Sequence, residues 1–392
     1  MKFEEIKKND QEYVMNTYGR FDIALEHGKG AKVYDYDNKE YIDCGSGIGV
    51  NSLGYANELW VKAVCEQAGK IAHTSNLYYT SQCGQVAKKL CDRTGGKKVF
   101  FANSGAEANE GAIKTARKYS SDKYGENRFE IITLVNSFHG RTITTLSSTG
   151  QDVFHKNFNP FTRGFVYAEA NNLDSVNEMM NDKTCAVLIE LVQGEGGVIA
   201  LDKEFVQGLY KLCKEKDILL IVDEVQTGIG RTGALLTYQR YEIQPDIVTM
   251  AKGLGGGLPI GAFMVFDKCE KTLGKSDHGT TFGGNPIVCA GANVVLDVID
   301  EAFVKEVIKK GEYINAKVVK MPHVLGVSGL GLMIGVEFDE TTVAIDVVKK
   351  CMEQGAIFLT AKSKLRMLPP LVITYEEIDQ ALQILENVLK GA

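Results

Sequence analysis

Lys252 stands where a lysine could do covalent chemistry. It follows the apolar run DIVTM and precedes GLGGGLPIG (253–261), a glycine-rich loop whose backbone other groups can approach closely. A lysine beside a buried strand end is poorly solvated, so its pKa falls, and the neutral amine is the form that makes a Schiff base with a carbonyl. Surface lysines are common, and the flanking Ala251 and the glycine run set this one apart. A dinucleotide-binding loop is a poor match, because Gly253-Leu254-Gly255 lacks the third glycine in place and opens no βα unit near the chain's start. Asp223 ends ILLIV, the most hydrophobic run in the chain, at the strand end where open α/β sheets bind ligands. A carboxylate there can pair with a protonated ring nitrogen, although for a lone aspartate a helix cap or a solvated loop acid is the plainer account. Ser104-Gly105-Ala106 opens a long helical pattern, where small residues let backbone N–H groups and the Ser104 hydroxyl close around a phosphate. A Ser-Gly turn capping an ordinary helix accounts equally well for the same three residues.

Positioning such groups requires strands that end together. Six short apolar runs recur with helical stretches between them: KKVFFAN (97–103), EIITLV (130–135), CAVLIEL (185–191), ILLIVDE (218–224), DIVTMA (246–251) and GAFMVF (261–266). That alternation predicts an α/β fold with a mostly parallel sheet covered by helices on both faces. Before about residue 55, GAKVYDYDNKEYIDCGSG alternates like hairpin strands around an Asp-Asn turn. After about residue 290 the patterns predict helices near 303–319 and 341–354, a strand IGVEF (334–338), and a terminal helix whose Ile378, Leu382, Leu385 and Leu389 share one face. Thr374 and Glu377 form a candidate capping box for that helix. The expected division is 1–55 and 291–392 as two parts of a smaller domain, with 56–290 as the large ligand-binding domain.

The bulk composition favours small-molecule chemistry. A net charge of -6 with no long run of either sign gives no reason to expect nucleic acid or an anionic membrane as partner. The 9 cysteines are scattered without a CxxC pair, which fits a reducing cytosol. No segment approaches the roughly 18 apolar residues of a membrane span, and the first residues lack the apolar core of a signal peptide, so a cytoplasmic location is expected. The 6 histidines show no metal-binding spacing, so no metal is expected.

Seven segments taken in order, SGAEANE, NSFHGRT, QGEGG, DEVQTGIGRTG, TMAKGLGGGLPIG, HGTTFGGNP and LRMLPPLVI, resemble the class III aminotransferases. The resemblance spans about residues 18 to 372. It implies fold type I: a large domain with a mostly parallel seven-stranded sheet flanked by helices, plus a smaller α+β domain from both chain ends. It also implies pyridoxal 5'-phosphate as cofactor and a homodimer with shared active sites. Carried over by position, Lys252 is implied as the Schiff-base and proton-transfer lysine and Asp223 as the partner of the pyridine nitrogen. Gln226 is implied to hold the ring hydroxyl and Phe138 to stack on the ring. Ser104, Gly105 and Ala106 are implied to bind the phosphate, with Thr281 reaching across from the other subunit.

Two arginines carry the substrate expectation, since an enzyme using glutamate and 2-oxoglutarate must hold two carboxylates and the planar guanidinium binds each bidentately. For any single arginine a surface ion pair is the usual explanation. By resemblance, Arg366 takes the α-carboxylate of glutamate, and Glu195 pairs with Arg366 when that carboxylate is absent. Arg141 is implied to hold the distal carboxylate of glutamate or the α-carboxylate of a substrate whose terminal amine reacts. Within the family, NTYGR, VNSLG, FHGRT, QGEGGV and LRMLPPLVI most resemble the branch acting on N2-acetyl-L-ornithine in arginine biosynthesis. There the δ-amino group passes to 2-oxoglutarate, giving N-acetyl-L-glutamate 5-semialdehyde and L-glutamate. Tyr18 is a candidate for orienting that substrate, or simply an aromatic packing the N-terminal segment. Ornithine, 4-aminobutyrate or a succinylated amine as donor, and an aminomutase of the same fold, are the alternatives. Two departures from the family pattern are LGYANE (53–58), where relatives have an LGHxHP-like stretch, and Leu191, where proline is common.

Overall fold

Strands with apolar residues at every position are stable only where both faces are covered, and the alternate side chains here go to two separate cores. A computed structural model describes residues 3–391. In chain order the strands of the large sheet are β1 (Lys98–Ala102), β2 (Glu130–Leu134), β3 (Phe165–Ala168), β4 (Thr184–Glu190), β5 (Leu219–Asp223), β6 (Ile247–Met250) and β7 (Gly261–Val265). They are arranged β1-β7-β6-β5-β4-β2-β3. From β6 to β3 every pairing is parallel, and β7 runs antiparallel to both β6 and β1.

The period of two decides which helix covers which face. Leu219 and Ile221 of β5 point into a core that includes Ala112, Ile113 and Ala116 of the helix Gly105–Tyr124. Leu220 and Val222 point the other way, into a core shared with Phe205, Val206 and Leu209 of the helix Lys203–Glu215. Six of the seven strands match the apolar runs in the sequence. The seventh, Phe165–Ala168, is an edge strand with only Ala168 fully buried, and its apolar pattern is correspondingly faint.

The two chain ends meet in a small sheet. Leu25–Lys29, Lys32–Asp35 and Glu40–Asp43 form an antiparallel meander, and Ala356–Ile357 joins it in parallel beside Ile42 and Asp43. A second four-stranded sheet consists of Val324–Leu330, Met333–Phe338, Leu359–Ala361 and Lys364–Met367. Arg231, in the loop after β5, binds this sheet to the large one by donating Nη1 to the carbonyls of Leu332 (3.1 Å) and Pro369 (2.5 Å). Tyr55, inside the departing LGYANE segment, donates its hydroxyl to Asp43 Oδ2 at 2.6 Å, and Leu191 is a fully buried core residue. No helix among the described residues is long and apolar enough to cross a membrane.

The terminal helix Tyr375–Lys390 buries Ile378, Leu382, Leu385 and Leu389 and starts with the expected capping box. Thr374 Oγ1 accepts from Glu377 N (3.2 Å), and Glu377 Oε2 accepts from Thr374 N (2.8 Å). Thr374→Ala should therefore lower unfolding stability by about 1 kcal/mol with activity intact. An earlier urea midpoint is the expected result, and an unchanged midpoint would show that the cap contributes nothing.

Candidate active site

Parallel strands deliver their carboxyl ends to one edge of the sheet, and the charged residues of the site are placed there. β4 ends in Glu190, β5 in Asp223, and β6 is followed by Ala251 and Lys252. At the same edge β1 runs through Asn103 into the helix Gly105–Tyr124. These ends surround a cavity of about 480 Å³ lined by Ser104, Gly105, Ala106, Phe138, Arg141, Glu195, Asp223, Gln226 and Lys252, together with Asn109, His139 and Glu190.

Asp223 is only 4% exposed, and protein donors surround it. Its Oδ2 accepts from Asn109 Nδ2 at 2.8 Å and lies 2.8 Å from His139 Nδ1. Its Oδ1 accepts from Val225 N at 2.9 Å and from Thr249 Oγ1 at 3.3 Å. The far side of the imidazole, His139 Nε2, lies 3.2 Å from Thr133 Oγ1. Loop packing alone would account for a histidine in FHGRT, but this ring is built onto the carboxylate.

Lys252 has φ 41°, a left-handed conformation rare for a side-chain-bearing residue and costing of order 1–3 kcal/mol. The burial of its amine drives the pKa down to about 8, with Arg366 adding to the shift and Glu195, Asp223 and Glu190 opposing it. Glu195 Oε1 accepts from Arg366 Nη1 at 2.6 Å, and Arg366 is 4% exposed on the strand Lys364–Met367. Burial acts to raise the Glu195 pKa, but the charge and hydrogen bond of Arg366 outweigh it and hold the carboxyl below its usual range. Gln226 lies between them, its Nε2 3.4 Å from Glu195 and its Oε1 3.4 Å from Arg366. A Cβ at Gly194, the residue before Glu195, would stand 2.2 Å from Gln226 Oε1, so a side chain there would displace the Gln226 amide.

Ser104 caps the helix Gly105–Tyr124, its Oγ accepting from Glu107 N at 3.2 Å. The N–H groups of Gly105 and Ala106 precede the first intrahelical bonds and lie at the cavity. The Phe138 ring is half-buried in the wall, and the exposed Arg141 guanidinium lies 4.0 Å from the Phe154 ring centre and 5.7 Å from that of Phe138. Two of the sequence candidates lie apart. Thr281 lines a separate 280 Å³ cavity with His73, Tyr79 and Gly284, and Tyr18 is 72% exposed with Arg20 over its ring.

Three residues of the site were not singled out in the sequence: His139, Asn109 and Glu190. Glu190 carries the same feature that marks Asp223, an acid ending an apolar run, and Asn109 lies one turn after Gly105 on the same helix face. No group of three or more histidine, cysteine or acidic side chains able to hold a metal occurs among the described residues.

Comparison with known proteins decides the family. The Aminotransferase class-III family model matches residues 13–389. The chain belongs to the class III aminotransferases. As an aminotransferase it has similar relatives across its full length. The acetylornithine aminotransferase of Haemophilus ducreyi is 55% identical over 390 residues, covering 99% of each chain. The ornithine aminotransferase of Toxoplasma gondii superposes with TM-score 0.95 at 32% identity, covering 100% of this chain and 96% of that one. The acetylornithine aminotransferase of Elizabethkingia anophelis superposes with TM-score 0.90 at 32% identity, covering 100% and 99%. The α/β fold with a seven-stranded, mostly parallel sheet is thus that of the family's solved structures.

The lowered lysine pKa has a direct consequence for reactivity. As pH rises through about 8 the Lys252 amine becomes neutral, some two units before an ordinary lysine at 10.5. In apoprotein, labelling of Lys252 by trinitrobenzenesulfonate, located by peptide mapping, should be half-maximal near pH 8. A midpoint near 10.5 would show that the cavity leaves this amine unperturbed.

Proposed function

We propose that this aminotransferase transfers the δ-amino group of N2-acetyl-L-ornithine to 2-oxoglutarate, giving N-acetyl-L-glutamate 5-semialdehyde and L-glutamate, with pyridoxal 5'-phosphate as cofactor. The observation that carries this reading is the Glu195–Arg366 pair, 2.6 Å apart, whose Glu195 lines the same cavity as Lys252. One site must accept glutamate, which brings an α-carboxylate, and an ω-amine, whose reacting carbon has none. A paired arginine serves both. Glu195 neutralises Arg366 while the amine donor is bound, and releases it when a carboxylate arrives. The relatives named acetylornithine aminotransferase support the choice of amine and the place in arginine biosynthesis.

The donor set fits pyridoxal phosphate. A buried aspartate suits a ring nitrogen that must keep its proton, and free N–H groups at a helix N-terminus suit a phosphate. An amine with a pKa of about 8 suits a carbonyl partner. The cofactor, when bound, supplies an aldehyde for covalent attachment of amines and an electron sink for the carbanion left by proton loss. Asp223 would hold the ring nitrogen, Gln226 the ring hydroxyl, and Phe138 the ring face. Ser104, Gly105 and Ala106 would hold the phosphate.

Within this frame Lys252 is the catalytic residue. Its neutral amine takes the proton from the substrate carbon that bears the reacting nitrogen, and a pKa near the working pH lets it give the proton back. Asn109 and His139 orient the Asp223 carboxylate so that it meets the cofactor without rotating. Arg141, at the cavity mouth beside Phe138, would take the α-carboxylate of the acylated amine, with Tyr18 against its chain. We also infer a homodimer in which Thr281 of a second copy completes the phosphate site. Thr281 is exposed and lies outside the main cavity, next to exposed apolar Phe282, and shares its own cavity with exposed Tyr78 and Tyr79.

The test is a panel of amines offered with 2-oxoglutarate to cofactor-loaded protein, with glutamate formation as readout. N2-acetyl-L-ornithine should be the best substrate by kcat/KM, ahead of ornithine and 4-aminobutyrate. Lys252→Ala should still bind cofactor but lose roughly 10²–10⁴ in turnover. A higher kcat/KM for ornithine or 4-aminobutyrate would overturn the choice of amine, and a fully active Lys252→Ala protein would overturn the mechanism.

A further inference from the structure

Asp223 has an acidic neighbour that the reaction as derived above does not use. Glu190 ends the adjacent parallel strand, is the register partner of Asp223, and lines the same cavity while only 6% exposed. Two carboxyl groups side by side out of water repel each other unless one is discharged. Arg366 is committed to Glu195, and the His139 ring lies against Asp223. Of the two other cations lining the cavity, Arg141 is exposed to solvent, and burial already favours the neutral form of Lys252.

The partners that Glu190 does have are backbone groups. Its Oε2 accepts from Phe138 N at 2.8 Å, and its Oε1 accepts from Gly194 N at 3.4 Å. Phe138 carries the aromatic wall of the cavity, and Gly194 immediately precedes Glu195. One rigid strand end thus holds the two loops whose side chains meet the substrate from different directions. We propose that Glu190 is a positioning residue of the active site, an uncharged clamp that fixes Phe138 against the cofactor ring and sets the loop bearing Glu195. The proposal rests on the cofactor assignment above. Burial, reinforced by the negative charge of Asp223, raises the Glu190 pKa well above the usual carboxylate range, outweighing its two backbone hydrogen bonds and Lys252. The Glu190 carboxyl is thus driven toward its protonated form beside Asp223.

An uncharged clamp makes a distinctive prediction for substitutions. Gln has the same length and no charge, and its amide oxygen can still accept from Phe138 N, the shorter contact, although its NH2 then faces Gly194 N, the longer one. Asp is one methylene shorter and withdraws from both loops, and Leu removes the acceptors while keeping the volume. The cofactor dissociation constant is measured by titrating apoprotein with pyridoxal phosphate and reading visible absorbance, after thermal unfolding shows that each variant is folded. Glu190→Gln should bind within about threefold of wild type and keep the midpoints of its kcat/KM–pH profile to about half a unit. Glu190→Asp and Glu190→Leu should bind roughly tenfold or more weakly, because a buried donor loses its acceptor. They should also change the ratio of the KM values for glutamate and N2-acetyl-L-ornithine, which uniform destabilisation would leave alone.

A Glu190→Gln protein as weak as Glu190→Leu, or with a profile moved by a unit or more, would show that Glu190 acts through a charge and overturn the clamp. Wild-type binding in both shortened and apolar variants would overturn it as well. Failure of the wild-type protein itself to bind pyridoxal phosphate would instead overturn the cofactor assignment, and the clamp with it.

Discussion

The Asp223 carboxylate sits at the end of a strand buried on both faces, where water cannot solvate it. A carboxylate in such a place is tolerable only if protein donors replace its hydration. Here they come from four parts of the chain: Asn109 from the helix after β1, His139 from the loop after β2, Thr249 from β6, and the backbone of Val225. Satisfying one charge therefore fixes the relative positions of the helix N-terminus, the aromatic wall and the lysine loop. The fold supplies the geometry because parallel strands bring their carboxyl ends to one edge.

The remaining charges divide into those kept and those suppressed. Glu195 and Arg366 remain an ion pair at the cavity, and Arg366 reaches it because Arg231 locks the C-terminal sheet to the loop after β5. Lys252 and Glu190 are pushed toward their neutral forms by burial, one becoming a usable base and the other a hydrogen-bonding group. Of two acids on neighbouring strands, one is surrounded by donors and the other is left beside a like charge. Their different environments give them different tasks.

Much of this was legible in the sequence, for physical reasons. Strands buried on both faces are near-continuous in hydrophobicity, so the five strands from β2 to β7 other than β3 stand out as apolar runs, as does β1. β3 is at the edge and half-covered, and its four residues are too few to show a period. Val324–Leu330 includes Gly326 and Gly329 and is only partly buried, which hides it in the same way. Nine of the twelve candidate residues line the cavity and Arg366 is bonded to one of them, whereas Thr281 and Tyr18 lie apart in a single chain. Asn109 and Glu190 escape a sequence-only view because their roles are relations across the sheet: Asn109 is 114 positions from the carboxylate it serves. No local pattern marks Asn109, and although Glu190 ends an apolar run as Asp223 does, only the register of β4 against β5 puts the two side by side.

The central claim is that one strand-end constellation runs two half-reactions in turn, the first with an ω-amine and the second with a keto acid. It is tested most directly by mixing cofactor-loaded protein with N2-acetyl-L-ornithine alone, following the visible absorption of the bound cofactor and the aldehyde released. The account predicts loss of the starting band, release of one semialdehyde per site, and return of the band when 2-oxoglutarate is added. A band that survives both N2-acetyl-L-ornithine and glutamate would contradict it.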